Sequence, residues 1–144
     1  MKDLIEINSR ILKKAGIAAE LELEENLPLL MVDGNKIMQV MVNVFNNSVD
    51  ATKGNGMIII KTGSVETGHG GKAVYFSISD TGKGISPENM EKIFEPFFTT
   101  KPPGEGTGLG LPVSQAIIQK LGGKLELTST LGAGTSVKVI LPLA

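Results

Sequence analysis

The sequence predicts an α/β sandwich, a mixed sheet with helices packed on one face. Three observations carry that expectation. Strand-like and helix-like segments are intermixed along 144 residues without a regular βαβ repeat. The stretch from Ile37 to Asp50 has the pattern of a packed helix with one polar edge. Near the end, Lys124 to Ser129 and Thr135 to Leu141 alternate like the two arms of a closing hairpin. At this length the chain is one domain, able to bury roughly 68–70% of its unfolded surface.

Taken in order, Leu4, Ile7, Ile11 and Leu12 are spaced for a short amphipathic helix over residues 3–14, which Gly16 stops. Leu21 and Leu23 alternate with Glu20, Glu22 and Glu24 as in an edge strand, and Leu29 to Val32 follows Pro28 as a short apolar strand. A longer helix spans about residues 35–53 and ends at the turn signal Gly54-Asn55-Gly56. At about 100° per residue, Gln39, Asn43, Asn46, Asn47 and Asp50 share an arc of roughly 100°. Ile37, Met38, Met41, Val42, Val44, Phe45 and Val49 fill the rest of the circumference, as in a helix packed inside a domain. Buried amides without partners are costly, so the stripe must face something polar. A solvated face usually carries Lys, Glu and Arg, whereas Lys36 and Lys53 stand only at the two ends. A ligand-facing stripe is therefore the stronger reading.

Met57 to Val65 is β-branched and strand-like, and Thr67 to Lys72 is a glycine-rich hairpin loop. In the next strand Val74, Phe76 and Ile78 alternate with Tyr75, Ser77 and Ser79, and Asp80 continues the Val74 face. A carboxylate is thus expected on the core side at a strand end, where it must accept hydrogen bonds from backbone, water or ligand. Pro87 to Phe94 reads as a short helix capped by Ser86. Pro112 to Leu121 reads as a helix with Val113, Ala116, Ile117 and Leu121 on one side and Gly122-Gly123 after it. In the closing hairpin Thr135 shares a face with Val137, Val139 and Leu141. The long irregular stretch, residues 95–110, has the length of a lid or binding loop.

Composition excludes several chemistries. With a formal net charge of −1 and no basic, aromatic-rich tract, nothing suggests a nucleic-acid partner. The absence of cysteine rules out disulfides, thiolate metal sites and thiol catalysis, and the single His69 cannot build a zinc site alone. No apolar run approaches the ~18 residues of a membrane span, and MKDLIEINSR lacks a signal-peptide pattern. A soluble, cytoplasmic domain without membrane contact is expected.

Two glycine-rich segments remain. Asp80-Thr81-Gly82-Lys83-Gly84 follows a strand, and Gly104-Glu105-Gly106-Thr107-Gly108-Leu109-Gly110 precedes a helix whose N-terminus can face an anion. No Gly-Lys-Ser/Thr closes either segment, so neither is a Walker A loop. The G-x-G-x-G spacing, with no strand leading directly into it, is not a dinucleotide fingerprint. Each alone could be a mobile turn; with Asn47 and Asp80 they form a constellation.

These residues carry a family resemblance. The chain resembles the ATP-binding catalytic domain of two-component sensor histidine kinases, in the superfamily shared with DNA gyrase, MutL proteins and the large heat-shock chaperones. Four blocks match in order: Asn43-x-x-x-Asn47, Asp80-x-Gly82-x-Gly84, the run Phe94 to Lys101 (FEPFFTTK), and Gly106-x-Gly108-x-Gly110-Leu111. The match covers about residues 20–143. It implies a two-layer sandwich, a mixed, mostly antiparallel sheet under three helices, with ATP held between sheet, helix and lid.

The resemblance also implies roles. Asp80 would accept the adenine amino proton, with Thr135 joining it through water. Gly82 and Gly84 would let base and ribose pack close to the backbone, beside Ile85. Asn47 would ligate Mg²⁺, an ion suited to oxygen ligands, phosphates and waters, and Asn43 would add a contact one turn earlier. Gly106, Thr107, Gly108, Leu109, Gly110 and Leu111 would cradle the phosphates, and Lys101 would bring a mobile positive charge from the lid. Phe97 and Phe98 have a simpler account, pinning the lid to the core. Asp50 is left between contact with a metal-bound water and a place at the rim.

Position 43 separates branches of the superfamily. The similar hydrolases carry there a glutamate that activates water as a general base. Asn43 is an amide and cannot take a proton, which favours a kinase whose chemistry rests on positioning and charge neutralisation. The implied partner is a histidine-bearing dimerisation domain, and indirectly a response regulator. Residues 1–15 are expected to be a remnant of that preceding helical region, residues 16–144 the ATP-binding catalytic domain, and the isolated chain monomeric, its parent either free or membrane-attached. His69, in a glycine-rich loop without an acidic neighbour, is a poor acceptor. A serine kinase of the anti-sigma-factor type and a non-catalytic ATP-sensing module are the alternatives.

Overall fold

The structure, a computed structural model, describes residue 13, residues 16–25, 33–52, 56–66, residue 68, and residues 71–96 and 110–143. The sandwich is borne out. A five-stranded sheet forms from β1 (Ile17–Leu23), β2 (Gly56–Glu66), β3 (Lys72–Asp80), β4 (Lys124–Thr130) and β5 (Gly134–Pro142), in the order β1-β2-β3-β5-β4. β1 runs parallel to β2, and the other three pairings are antiparallel. Three helices accompany it among the described residues: α1 (Gly34–Ala51), α2 (Pro87–Met90) and α3 (Gly110–Lys120). Apart from residue 13, the expected helix over 3–14 lies outside the described residues, as do the strand Leu29 to Val32, His69 and the segment Phe97 to Leu109. The Gly16 N–H reaches the Lys13 carbonyl at 3.2 Å, and Gly16 has φ +72°.

The core lies between the sheet and α1. Val40, Val44, Phe45 and Val49 of α1 meet Ile58 and Ile60 of β2, Val74, Phe76 and Ile78 of β3, and Val137, Val139 and Leu141 of β5. Period-two alternation on three neighbouring strands supplies one continuous apolar face, and the i, i+4, i+5 spacing of α1 supplies the stripe that covers it. α1 starts at Asp33, whose carboxylate accepts from the Asn35 N–H at 2.9 Å. It ends at Thr52, whose hydroxyl turns back onto the Ser48 carbonyl at 2.6 Å.

Three expectations need correction. α1 is less enclosed than its composition suggests: Met38, Gln39 and Asn46 are exposed, and only one side is buried. α2 is four residues long, not eight; beyond it the chain tightens into i→i+3 turns, Lys92 N–H to Asn89 and Glu95 N–H to Lys92, both at 2.9 Å. Only Ile93 is buried there, too small an apolar anchor to extend a helix. α3 begins at Gly110, two residues earlier than its proline suggested, so Pro112 sits in the first turn, where a missing N–H leaves nothing unpaired. Its inward residues are Ser114 and Ile118, with Ile117 and Leu121 half-buried and Ala116 exposed. The helix is rotated from the expected face because Ser114 has a polar partner on α1. It closes in a Schellman motif, Gly123 N–H to Ile118 at 2.9 Å and Gly122 N–H to Gln119 at 3.0 Å.

The Asp80–Gly84 loop is welded between two neighbours. The Lys83 N–H donates to the Ala51 carbonyl at the end of α1 at 3.1 Å, and the Lys83 carbonyl accepts from Gly132 in the β4–β5 turn at 2.7 Å. A Cβ on Gly84 would overlap the Thr130 carbonyl, and its φ of +72° is already unfavourable for other residues. Gly132 has a similar φ of +83° but open space around it. Gly84→Ala is therefore expected to destabilise by about 3 kcal/mol, the sum of left-handed strain and overlap. Gly132→Ala is expected to cost about 1–2 kcal/mol from strain alone. Urea unfolding of both variants checks this, and equal losses would show that packing at Gly84 contributes nothing.

Candidate functional site

Asp80 ends β3 opposite Ile58 on one side and Thr135 on the other. Strand alternation carries it onto the apolar face behind Val74, Phe76 and Ile78, and it is only 9% exposed. One carboxylate oxygen, Oδ1, accepts from the Gly82 N–H at 2.9 Å and from the Thr135 N–H at 3.3 Å. The Ser48 hydroxyl of α1 also hydrogen-bonds the carboxylate. Burial pushes the Asp80 carboxyl above the usual carboxylate range, and the bonds from Gly82, Thr135 and Ser48 only partly oppose it. An interior carboxylate whose charge is incompletely compensated is a group prepared to receive another donor.

Around Asp80 the motif glycines serve the protein itself. A Cβ on Gly82 would overlap the Ala51 carbonyl and lie 2.9 Å from Asp80 Oδ1. Both glycines of the motif thus have packing reasons for being glycine, in addition to any approach by a ligand. Ile85 and Thr135 meet through one serine: Ser129 Oγ accepts from the Ile85 N–H at 2.8 Å, donates to the Gly134 carbonyl at 3.0 Å and lies 2.8 Å from Thr135 Oγ1.

On α1 the polar stripe divides. Asn43, Asn47 and Asp50 are half-buried, while Gln39 and Asn46 face outward. With ~100° between residues, Asn43 and Asn47 lie on the flank adjoining buried Val40 and Val44. Asn43 Nδ2 donates to Ser114 Oγ of α3 at 3.2 Å and, at the limit of a hydrogen bond, to the Gly110 carbonyl at 3.5 Å. The Asn47 side chain makes no hydrogen bond with a described residue, so its amide oxygen is available as a hard donor. Among the described residues no group of three or more His, Cys, Asp or Glu could hold a metal ion. A cation here would draw one ligand from Asn47 and the remainder from its phosphates and waters, which suits Mg²⁺.

The structure therefore brings Asp80, Gly82, Gly84, Ile85 and Thr135 together at one end of the sheet. Asn43 is joined to Gly110 and, through Ser114, to the first turns of α3, in which Leu111 is half-buried. Lys101, Gly106, Thr107, Gly108 and Leu109 lie outside the described residues. The sequence reading missed Ser48, Ser114 and Ser129. Ser48 had a signal: it falls in the centre of the apolar sector of α1, between Val44 and Val49, where a hydroxyl needs a partner.

A mixed sheet under helices thus carries an interior acid at a strand end and, on the facing helix, an amide with no hydrogen-bond partner among the described residues. The chain belongs to the histidine kinase-, DNA gyrase B- and HSP90-like ATPase family, whose model matches residues 32–144, and it is an ATP-binding catalytic domain of the sensor histidine kinase kind. It is 36% identical to the sensor kinase CckA of Brucella abortus over 96% of this chain and 16% of that protein. It is 37% identical to the sensor histidine kinase ZraS of Escherichia coli O157:H7 over 83% of this chain and 24% of that protein. The chain thus spans under a third of either relative. Among solved structures, the catalytic domain of histidine kinase ThkA superposes with a TM-score of 0.83 at 31% identity, over 98% of this chain and 88% of that one. Full-length ShkA, solved in complex with AMPPNP, superposes with a TM-score of 0.85 at 27% identity, over 99% of this chain and 29% of that one.

The raised Asp80 carboxyl fixes a pH dependence. A group that binds its proton more tightly folded than unfolded contributes most stability where both states are protonated. That contribution declines as pH rises from the ordinary carboxylate range through the raised value. Asp80→Asn removes the buried charge, so the ligand-free variant is expected to be more stable than wild type at neutral pH. The difference should close on acidification toward about pH 4. Urea midpoints at the two pH values check this; a difference that widens in acid would contradict it.

Proposed function

We propose that this domain binds Mg-ATP and passes the γ-phosphoryl group to a histidine on a separate dimerisation domain, as one step of two-component signalling. The observation that carries the reading is Asp80, an acceptor held on the apolar face and surrounded by backbone and hydroxyl donors, suited to the exocyclic amine of adenine. Thr135, adjacent to it in the sheet, would complete the base site through water, with Gly82, Gly84 and Ile85 walling it. Asn47 would hold Mg²⁺ by its amide oxygen; when bound, the ion supplies neutralisation of charge on the phosphates. Asp50 would stand at the rim of that site. Lys101 and the run Gly106 to Leu111 would hold the phosphate end.

In the transfer, a ring nitrogen of the acceptor histidine forms a bond to the γ-phosphorus as the bond to the β–γ bridging oxygen breaks, and ADP leaves with that oxygen. What the domain's residues contribute is alignment and compensation of charge. Position 43 supports transfer to a protein over hydrolysis. An amide there cannot accept a proton from water, so the attacking group must come from elsewhere.

The relatives are sensor kinases several times longer than this chain. We take residues 16–144 as the catalytic domain, residues 1–15 as the end of a preceding helical region, and the isolated domain as a cytoplasmic monomer. Among the described residues no helix is long and apolar enough to cross a membrane.

The test supplies γ-labelled ATP, Mg²⁺ and a histidine-bearing helical-hairpin domain in trans. The label is expected on the hairpin, in an acid-labile, base-stable linkage, and Asn47→Ala is expected to reduce transfer at least ~100-fold while the fold is retained. Acid-stable label would identify a serine kinase. Binding without transfer would identify a nucleotide-sensing module.

A further inference from the structure

The Asn43–Ser114 contact has a chemistry that the nucleotide site alone does not explain. Ser114 is 0% exposed, within α3, four residues after Gly110. Its hydroxyl oxygen and the Gly110 carbonyl both accept from the same Asn43 nitrogen, at 3.2 Å and 3.5 Å. A backbone carbonyl can only accept, so the amide nitrogen must face α3 and the amide oxygen must point away from it. Gly110 closes the Gly106-x-Gly108-x-Gly110 motif, so this contact joins the end of that motif to the helix that carries Asn47.

We propose that Ser114 is a positioning residue for phosphoryl transfer, holding the Asn43 amide with its nitrogen on α3 and its oxygen turned away from that helix, and tying the start of α3 to α1. The proposal rests on the functional reading above. It also accounts for the residue type at position 43. A carboxylate there has no N–H to offer and would face the Gly110 carbonyl, which can only accept, leaving the Ser114 hydroxyl as the one donor on that side. The Gly110 carbonyl thus favours an amide over the acid that a water-activating site requires. Ser114 acts through Asn43 and contributes orientation, so its loss should fall on the rate of transfer and leave nucleotide affinity nearly unchanged.

The decisive variant is Ser114→Ala, read in two ways. In the nucleotide-free protein, the Asn43 side-chain amide is expected to be protected from hydrogen exchange in wild type, and the alanine variant to return it to solvent-like exchange by nuclear magnetic resonance. With Mg-ATP and the hairpin in trans, the alanine variant is expected to transfer roughly 5- to 10-fold more slowly, the loss of one net hydrogen bond. Its nucleotide dissociation constant should move less than about 2-fold. Ser114→Thr keeps the hydroxyl and should restore both readouts. Should its methyl group not fit the closed site, Ser114→Ala in an Asn43→Ala background decides: the serine change should then add no further loss. Unchanged amide exchange, or additive losses in the double variant, would overturn the assignment. An active wild type with an unaffected Ser114→Ala would overturn this inference alone, whereas a wild type that binds no Mg-ATP would overturn the functional reading with it.

Discussion

An ionisable group on the apolar side of a sheet is tolerated only when surrounding donors compensate its charge, and Asp80 imposes that demand on this fold. Its partners come from three separate elements: Gly82 on the loop after β3, Thr135 on β5, and Ser48 on α1. Hydrogen bonds to a charged acceptor are worth about 1.5–3 kcal/mol each, against a burial penalty that here still prevails. The compensation is therefore incomplete without a further donor. On the proposed reading, a ligand with an exocyclic amine supplies that donor.

The same neighbourhood explains why the site is assembled where it is. The end of α1, the loop after β3 and the β4–β5 turn converge through backbone bonds at Ala51, Lys83 and Gly132. Gly82 and Gly84 permit that convergence, since a side chain at either would overlap a carbonyl of a neighbour. Ser48 follows Asn47 directly in α1, so Asp80 and Asn47 are fixed relative to one another by a single peptide unit and one hydrogen bond. On the other side of Asn47, Asn43 leans on Ser114 and Gly110. Helix α1 is thus the common reference for Asp80, Asn47 and Asn43.

Much of this was legible in the sequence. The alternation Val74, Phe76, Ile78, Asp80 placed the carboxylate on the core face, and the Thr135 to Leu141 alternation placed its β5 neighbour on the same face. The strand pairings of the closing hairpin followed from the same period-two pattern. What escaped were contacts between elements. Ser114 was invisible because a serine in a helix gives no sign of which neighbour will meet it, and without that knowledge the helix was turned toward Val113 and Ala116. The length of α2 was overestimated because a capping serine and a proline mark where a helix starts, whereas its end depends on the tertiary support that only Ile93 provides. The full enclosure of α1 was overestimated because its methionines were weighed as buried, while Met38 is 41% exposed.

On the proposed reading, the ligand relieves the interior charge at Asp80. The most direct measurement is the ionisation of that carboxyl group followed by carbon-13 nuclear magnetic resonance, with and without a non-hydrolysable ATP analogue and Mg²⁺. A midpoint above the ordinary carboxylate range is expected in the free domain, with a clear fall on binding, because a hydrogen bond donated by the base favours the ionised form. A midpoint that stays where it was when the analogue is bound would contradict it.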